Sequence, residues 1–211
     1  MLFNLKEKYS ELQLYEHKLI NIPKETHESS YEHWSFLNTI NHVYCWEINA
    51  LNKVEARIKN ENVNYHSDKS LEDVNKHYYE KTRDYSKDQT LEIMESTSRK
   101  ALEIFNQIEG KEESKELVPI GYMNTVFDYL VFDLIYHGII HYAFYAIKHN
   151  DFKLFEEVGK YIRSNRKTMF NDFGIMNMKE LMTPKEKGEI FKKGYEWEND
   201  DLYIQIKHIT V

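Results

Sequence analysis

Residues Asn124 to Asn150 read NTVFDYLVFDLIYHGIIHYAFYAIKHN. Between Val126 and Ile147 nearly every side chain is apolar or aromatic, and the ionisable exceptions are Asp128, Asp133, His137 and His141. A helix that is hydrophobic on all sides belongs in the middle of a bundle. The run is long enough for a bilayer span of about 20 residues. An aspartate and two histidines near its centre would be costly there, so a buried helix is expected instead. Asp133, His137 and His141 recur at i, i+4 and i+8 and form one polar line. That line is either a narrow solvent face, which Lys148 on the same side favours, or the wall of a polar site, which the His-x-x-x-His spacing favours.

The composition agrees with a helical protein. In 211 residues there are only 7 Gly and 3 Pro, as suits long helices joined by few loops, and 41% hydrophobic residues supply a core. One domain with appendages is the default at this length. A net charge of −7 without a concentrated basic patch gives nucleic-acid binding no electrostatic support. The single cysteine, Cys45, excludes an intrachain disulfide and a Cys-rich zinc site. The opening MLFNLKEKYSEL carries charges in its first turns and has no signal-peptide core, which places the expected protein in the cytoplasm and off the membrane.

Outward from the central stretch, periodicity predicts helices near 4–21, 31–59, 86–109 and 123–149, with a short one over 71–82. The first carries Leu5, Tyr9, Leu12, Tyr15 and Leu19 on one face. The second carries Leu37, Ile40, Tyr44, Ile48, Leu51, Val54 and Ile58. Ser70 with Asp73 caps the short helix, Ser86 or Asp88 starts the next, and Gly110 stops it. Beyond Asn150 the expectation is an amphipathic segment capped by Asn150 or Asp151. After it come a short helix started by Thr183-Pro184 and an alternating, strand-like tail from Leu202 to Val211. The fold expected is all-α, an up-down-up-down four-helix bundle over 1–150 with a C-terminal helical extension and tail over 151–211. That extension is too short for its own core and would cover the bundle or meet a second copy, making a homodimer.

Among ten histidines, His42 stands apart. At 100° per residue it lies roughly 160° from the centre of the second helix's apolar stripe, beside Asn38, Cys45, Trp46 and Asn49. That polar strip is a solvated face or a second face turned to a cleft; Trp46 and Cys45 are unusual on the former. Three neutral imidazoles, two of them one turn apart, supply the protein side of a catalytic zinc site with a fourth position for water. Nickel or iron would also suit such a set. Met123, Met169, Met176, Met178 and Met182 read as core filling, and the remaining histidines as surface residues.

Asn41-His42, Trp46-Glu47 and the late His137-x-x-x-His141 resemble the DinB/YfiT-like superfamily of bacterial proteins. The resemblance covers about residues 4–150. It implies a four-helix bundle, often a homodimer, that holds a divalent metal, zinc or nickel, on His42, His137 and His141. The implied activity is that of a metal-dependent hydrolase or thiol transferase. It would act on small electrophiles, with a low-molecular-weight thiol as the possible second substrate. Asp133 and Glu47 would then act as orienter or proton acceptor. Locally, HVYCWE and the segment from Leu71 to Phe105 look like the ClbS/DfsB branch, which implies the alternative of metal-free binding or detoxification of a reactive small molecule. A non-catalytic structural dimer is the third possibility. Two features depart from the superfamily pattern: Tyr142-Ala143-Phe144 follows the second histidine, and the 60 or so residues after Asn150 have no counterpart.

Overall fold

A computed structural model describes residues 5–21, 34–63, 69–119 and 125–149, and beyond them positions 151, 153, 154, 157 and 158. Its elements are α1 (Leu5–Leu19), α2 (Phe36–Ile58), α3 (Leu71–Thr82) and α4 (Lys87–Gln107). The fifth, α5, runs without interruption over 126–148. It is α-helical over Val126–Val131, π-helical over Phe132–Tyr136 and α-helical again over His137–Lys148. No strand occurs among the described residues.

Short polar side chains fix the helix starts. Ser35 caps α2, its Oγ accepting from the Asn38 N–H at 3.1 Å while Asn38 Oδ1 accepts from the Ser35 N–H at 3.0 Å. The helix therefore begins at Phe36, five residues later than periodicity suggested, because this box satisfies its first free N–H groups. Ser70 caps α3, as its sequence signature predicted, and Ser86 rather than Asp88 caps α4. Thr125 caps α5 through the Asp128 N–H. After α4 the chain turns at Gly110, φ +76°. Asn60, just past α2, also has a positive φ of 56°.

Within Met1–Gly138, α2 is the central element, with α3, α4 and the first half of α5 packed on it. In turn, α1 packs on α4 and on the π-helical segment. The core is continuous through Tyr9, Leu12, Ile40, Tyr44, Leu51, Val54, Met94, Ile104 and Leu130. Burying each such side chain contributes about 1.5–3 kcal/mol. On α4 the buried stripe is Met94, Thr97, Ala101, Ile104 and Phe105, while Ile93 and Leu102 beside it are only half-buried.

Contacts between Cα atoms group the chain into Met1–Gly138 and Ile139–Val211, and the boundary falls inside α5. In the second group Ile139, Tyr142, Ala143, Tyr145 and Ala146 are buried. Asp151 Oδ1 accepts from the Leu154 N–H at 2.9 Å, the cap expected for the segment after the core helix. The Thr183-Pro184 helix, the strand-like tail and the late methionines lie outside the described residues.

Candidate metal centre

The site begins with the two covered faces of α2. His42 is 3% exposed, and Asn38, Asn41, Cys45, Glu47 and Asn49 are buried with it. The strip opposite the apolar stripe is therefore interior, because α3 lies over it. Cys45 packs with Val74 and Tyr78 of α3, and Trp46 closes the same cluster. The polar residues are tied down as well. Asn38 donates to the Arg83 carbonyl at 3.1 Å, where α3 ends and its last carbonyls lack helical partners. Trp46 Nε1 donates to Asn75 Oδ1 at 3.0 Å.

The second helix of the site is α5. The His137 N–H bonds to the Phe132 carbonyl, five residues back, and closes the π-helical turn. Such a turn admits one residue more than an α-turn and re-aims the side chains beyond it; π-bulges occur often at functional sites. No sequence signal announced it. His137 comes immediately after the turn, 4% exposed, with its ring centroid 5.6 Å from that of His42. His141 stands one regular α-turn further along the same helix and is half-buried.

One ligand atom from each of His42, His137 and His141 lies within 4.8 Å of the others. A tetrahedral ion bound at about 2.0–2.1 Å holds its nitrogens about 3.4 Å apart, so side-chain shifts of about 1 Å would close the set. Among the described residues only these three His, Cys, Asp or Glu side chains converge in this way. Three neutral nitrogen donors suit zinc, nickel or iron, and the donor set does not choose among them.

Aromatic rings line the imidazoles. Trp34 sits over His42 at 4.6 Å between centroids and stacks on Tyr79 at 6.0 Å. Trp46 meets His137 edge-on at 6.3 Å and Tyr78 at 5.4 Å. Trp34, Tyr78 and Tyr79 escaped the sequence reading. The signal for Tyr78 was available: Val74, Tyr78 and Thr82 form a buried i, i+4, i+8 stripe on α3.

The two carboxylates singled out beside the histidines have different surroundings. Asp133 opens the π-helical turn, one turn before His137. Its side chain retains some solvent contact, but dense protein surroundings raise its carboxyl to about 7. Desolvation is the main cause, opposed by the Lys53 ammonium and a hydrogen bond with Tyr129. That value suits a group exchanging a proton near neutrality. Glu47 is wholly buried, accepts from the Tyr9 hydroxyl at 2.9 Å, and is pushed well up by burial and then by Glu16. Cys45 is held as a thiol, raised to about 11 by burial.

Comparisons with protein-family models, with curated proteins and with solved structures find no match. Among the described residues no helix is long and apolar enough to cross a membrane.

Proposed function

We propose that this protein is a DinB-like metal-dependent enzyme of the hydrolase or thiol-transferase kind, acting on a small electrophile in the cytoplasm. The convergence of His42, His137 and His141 carries the proposal. The helix contacts support the bundle half of it. Those of α2 with α4, α4 with α1, α1 with α5 and α5 with α2 form a closed circuit of four, as an up-down-up-down bundle requires. Zinc or nickel on the three imidazoles would supply a Lewis acid and lower the pKa of a water or thiol presented to it.

The chain's own residues have separable tasks in this scheme. Trp34 and Trp46 fix the imidazole planes by ring contact, so the donors need little reorganisation. Asp133, with its carboxyl near neutrality, takes the proton that a water or thiol gives up. Asp133 acts electrostatically on Glu47 and helps to hold the Glu47 carboxyl up. The rings of Trp34, Trp46, Tyr78 and Tyr79 exclude water around the imidazoles.

The test is metal analysis of untagged protein, as purified and after addition of zinc or nickel. About one equivalent, lost in His137→Ala and in His42→Ala, is the expected result. Less than about a tenth of an equivalent under both conditions would defeat the proposal. The rings flanking the imidazoles favour one second reading, a metal-free protein that holds a planar reactive metabolite between Trp34 and Trp46. In that case ligand protection survives chelation and His137→Ala, but not Trp34→Ala.

A further inference from the structure

Away from the imidazoles, a polar network crosses the core on α1, α2 and α4. Glu16 and Glu47 are both 0% exposed. Glu16 Oε2 accepts from the Tyr44 hydroxyl at 2.5 Å and from Gln13 Nε2 at 3.1 Å. Gln13 also donates to the Tyr44 oxygen at 2.8 Å, and the Ser98 hydroxyl of α4 donates to Gln13 Oε1. Glu47 Oε2 accepts from Tyr9 at 2.9 Å, while its Oε1 has no hydrogen-bond partner among the described residues. Among the described residues the groups acting on Glu47 are Glu16 and Tyr9 of α1 and Asp133 of α5, and none is a cation. The Lys53 ammonium acts on Asp133.

We propose that Glu16 and Glu47 hold one proton between them in the folded protein, carried on Glu47 while Glu16 is ionised. The asymmetry comes from the donors. Two hydrogen bonds converge on Glu16 and favour its charged form, whereas Glu47 receives one and keeps a buried oxygen without a donor. A second buried negative charge with no cation facing it costs far more than a neutral carboxyl short of one hydrogen bond. The upward displacement of the Glu47 carboxyl has the same direction. The site is a buried proton store joined electrostatically to Asp133, in the turn that precedes His137. It does not depend on the metal reading.

The folded protein therefore binds one more proton than the unfolded chain above the ordinary carboxylate range. Its folding constant falls about tenfold for each pH unit on that account, from about pH 5 upward. Glu47→Gln, the neutral isostere of the protonated acid, keeps an oxygen for Tyr9 and removes this uptake. Asp133, Tyr9, Tyr44 and Glu16 are present in both proteins, so the difference in slope reports Glu47.

Full-length protein treated with chelator is unfolded in urea at a series of pH values from about 5 to 8, wild type beside Glu47→Gln. Infrared spectra are recorded at the upper end, where Asp133 is mostly ionised. The expected result is a wild-type slope steeper by one proton, together with a carboxylic-acid carbonyl band that Glu47→Gln abolishes. Equal slopes without such a band would overturn the proposal. Failure of Glu47→Gln to fold would overturn it too, since a neutral side chain of the same shape must be tolerated. Because chelated protein is used, none of these outcomes turns on whether a metal binds to the histidines.

Discussion

Asp133→Asn offers the sharpest test of the electrostatics around the π-helical turn. Burial raises the Asp133 carboxyl from 3.8 to about 7 in the folded state. A raised acid contributes stability that is fully present below its unfolded value and is lost as pH rises toward the folded value. Each unit is about 1.4 kcal/mol, so ionised Asp133 costs roughly 4 kcal/mol above pH 7. Asparagine stands in for the protonated acid and keeps an oxygen for Tyr129. The substitution also takes from half-buried Lys53 the negative charge that sustains its ammonium, which offsets part of the gain. A net stabilisation of about 2–4 kcal/mol is expected at pH 8. With a urea slope of about 2 kcal/mol per molar, the unfolding midpoint rises by about 1–2 M. Below pH 7 the gain shrinks by about 1.4 kcal/mol per unit. Urea titrations of chelated protein at pH 8 and pH 5 measure both numbers. A midpoint shift independent of pH, or a destabilised variant at pH 8, would show that burial does not govern this carboxyl.

Two further substitutions probe the scaffold. Gly110→Ala meets no atom within 4 Å, so its expected cost of about 1 kcal/mol comes only from the φ of +76°. Thermal unfolding should show a Tm lower by about 2–4 °C, and an unchanged Tm would refute the strain. Lys100→Met removes the first cause of the low Glu55 carboxyl, held at about 2 by Lys100 and Lys59. Stability from that pair is present above the unfolded carboxylate range and lost as pH falls toward 2. Since both side chains remain about 30% exposed, the loss at pH 7 should be under about 1 kcal/mol and should shrink in 1 M salt.

Helices were legible because their signals are local. The 3.6-residue stripes of α1 and α2, Ser70 ahead of α3 and Gly110 after α4 each speak through neighbours a few residues away. The His137-x-x-x-His141 spacing was equally local, since four residues make one turn whatever surrounds the helix. Burial of the strip containing His42 was not. One helix in isolation offers no means to distinguish a solvated polar face from one covered by α3, and only packing decides it. The same limit hid Glu16, which reads as an ordinary surface glutamate in LYEHKL until Tyr44 and Gln13 close over it.

By itself, then, the sequence determined the helical class, most helix starts and stops, and the three histidines worth watching. Each of these depends on residue type and spacing along one chain segment. The tertiary structure decided that His42 meets His137, that α5 opens into a π-helical turn just before it, and that Glu16 and Glu47 are both buried in the core. These depend on which faces of distant helices are pressed together and stripped of water. Desolvation has no period and no motif, so it is written in the packing alone.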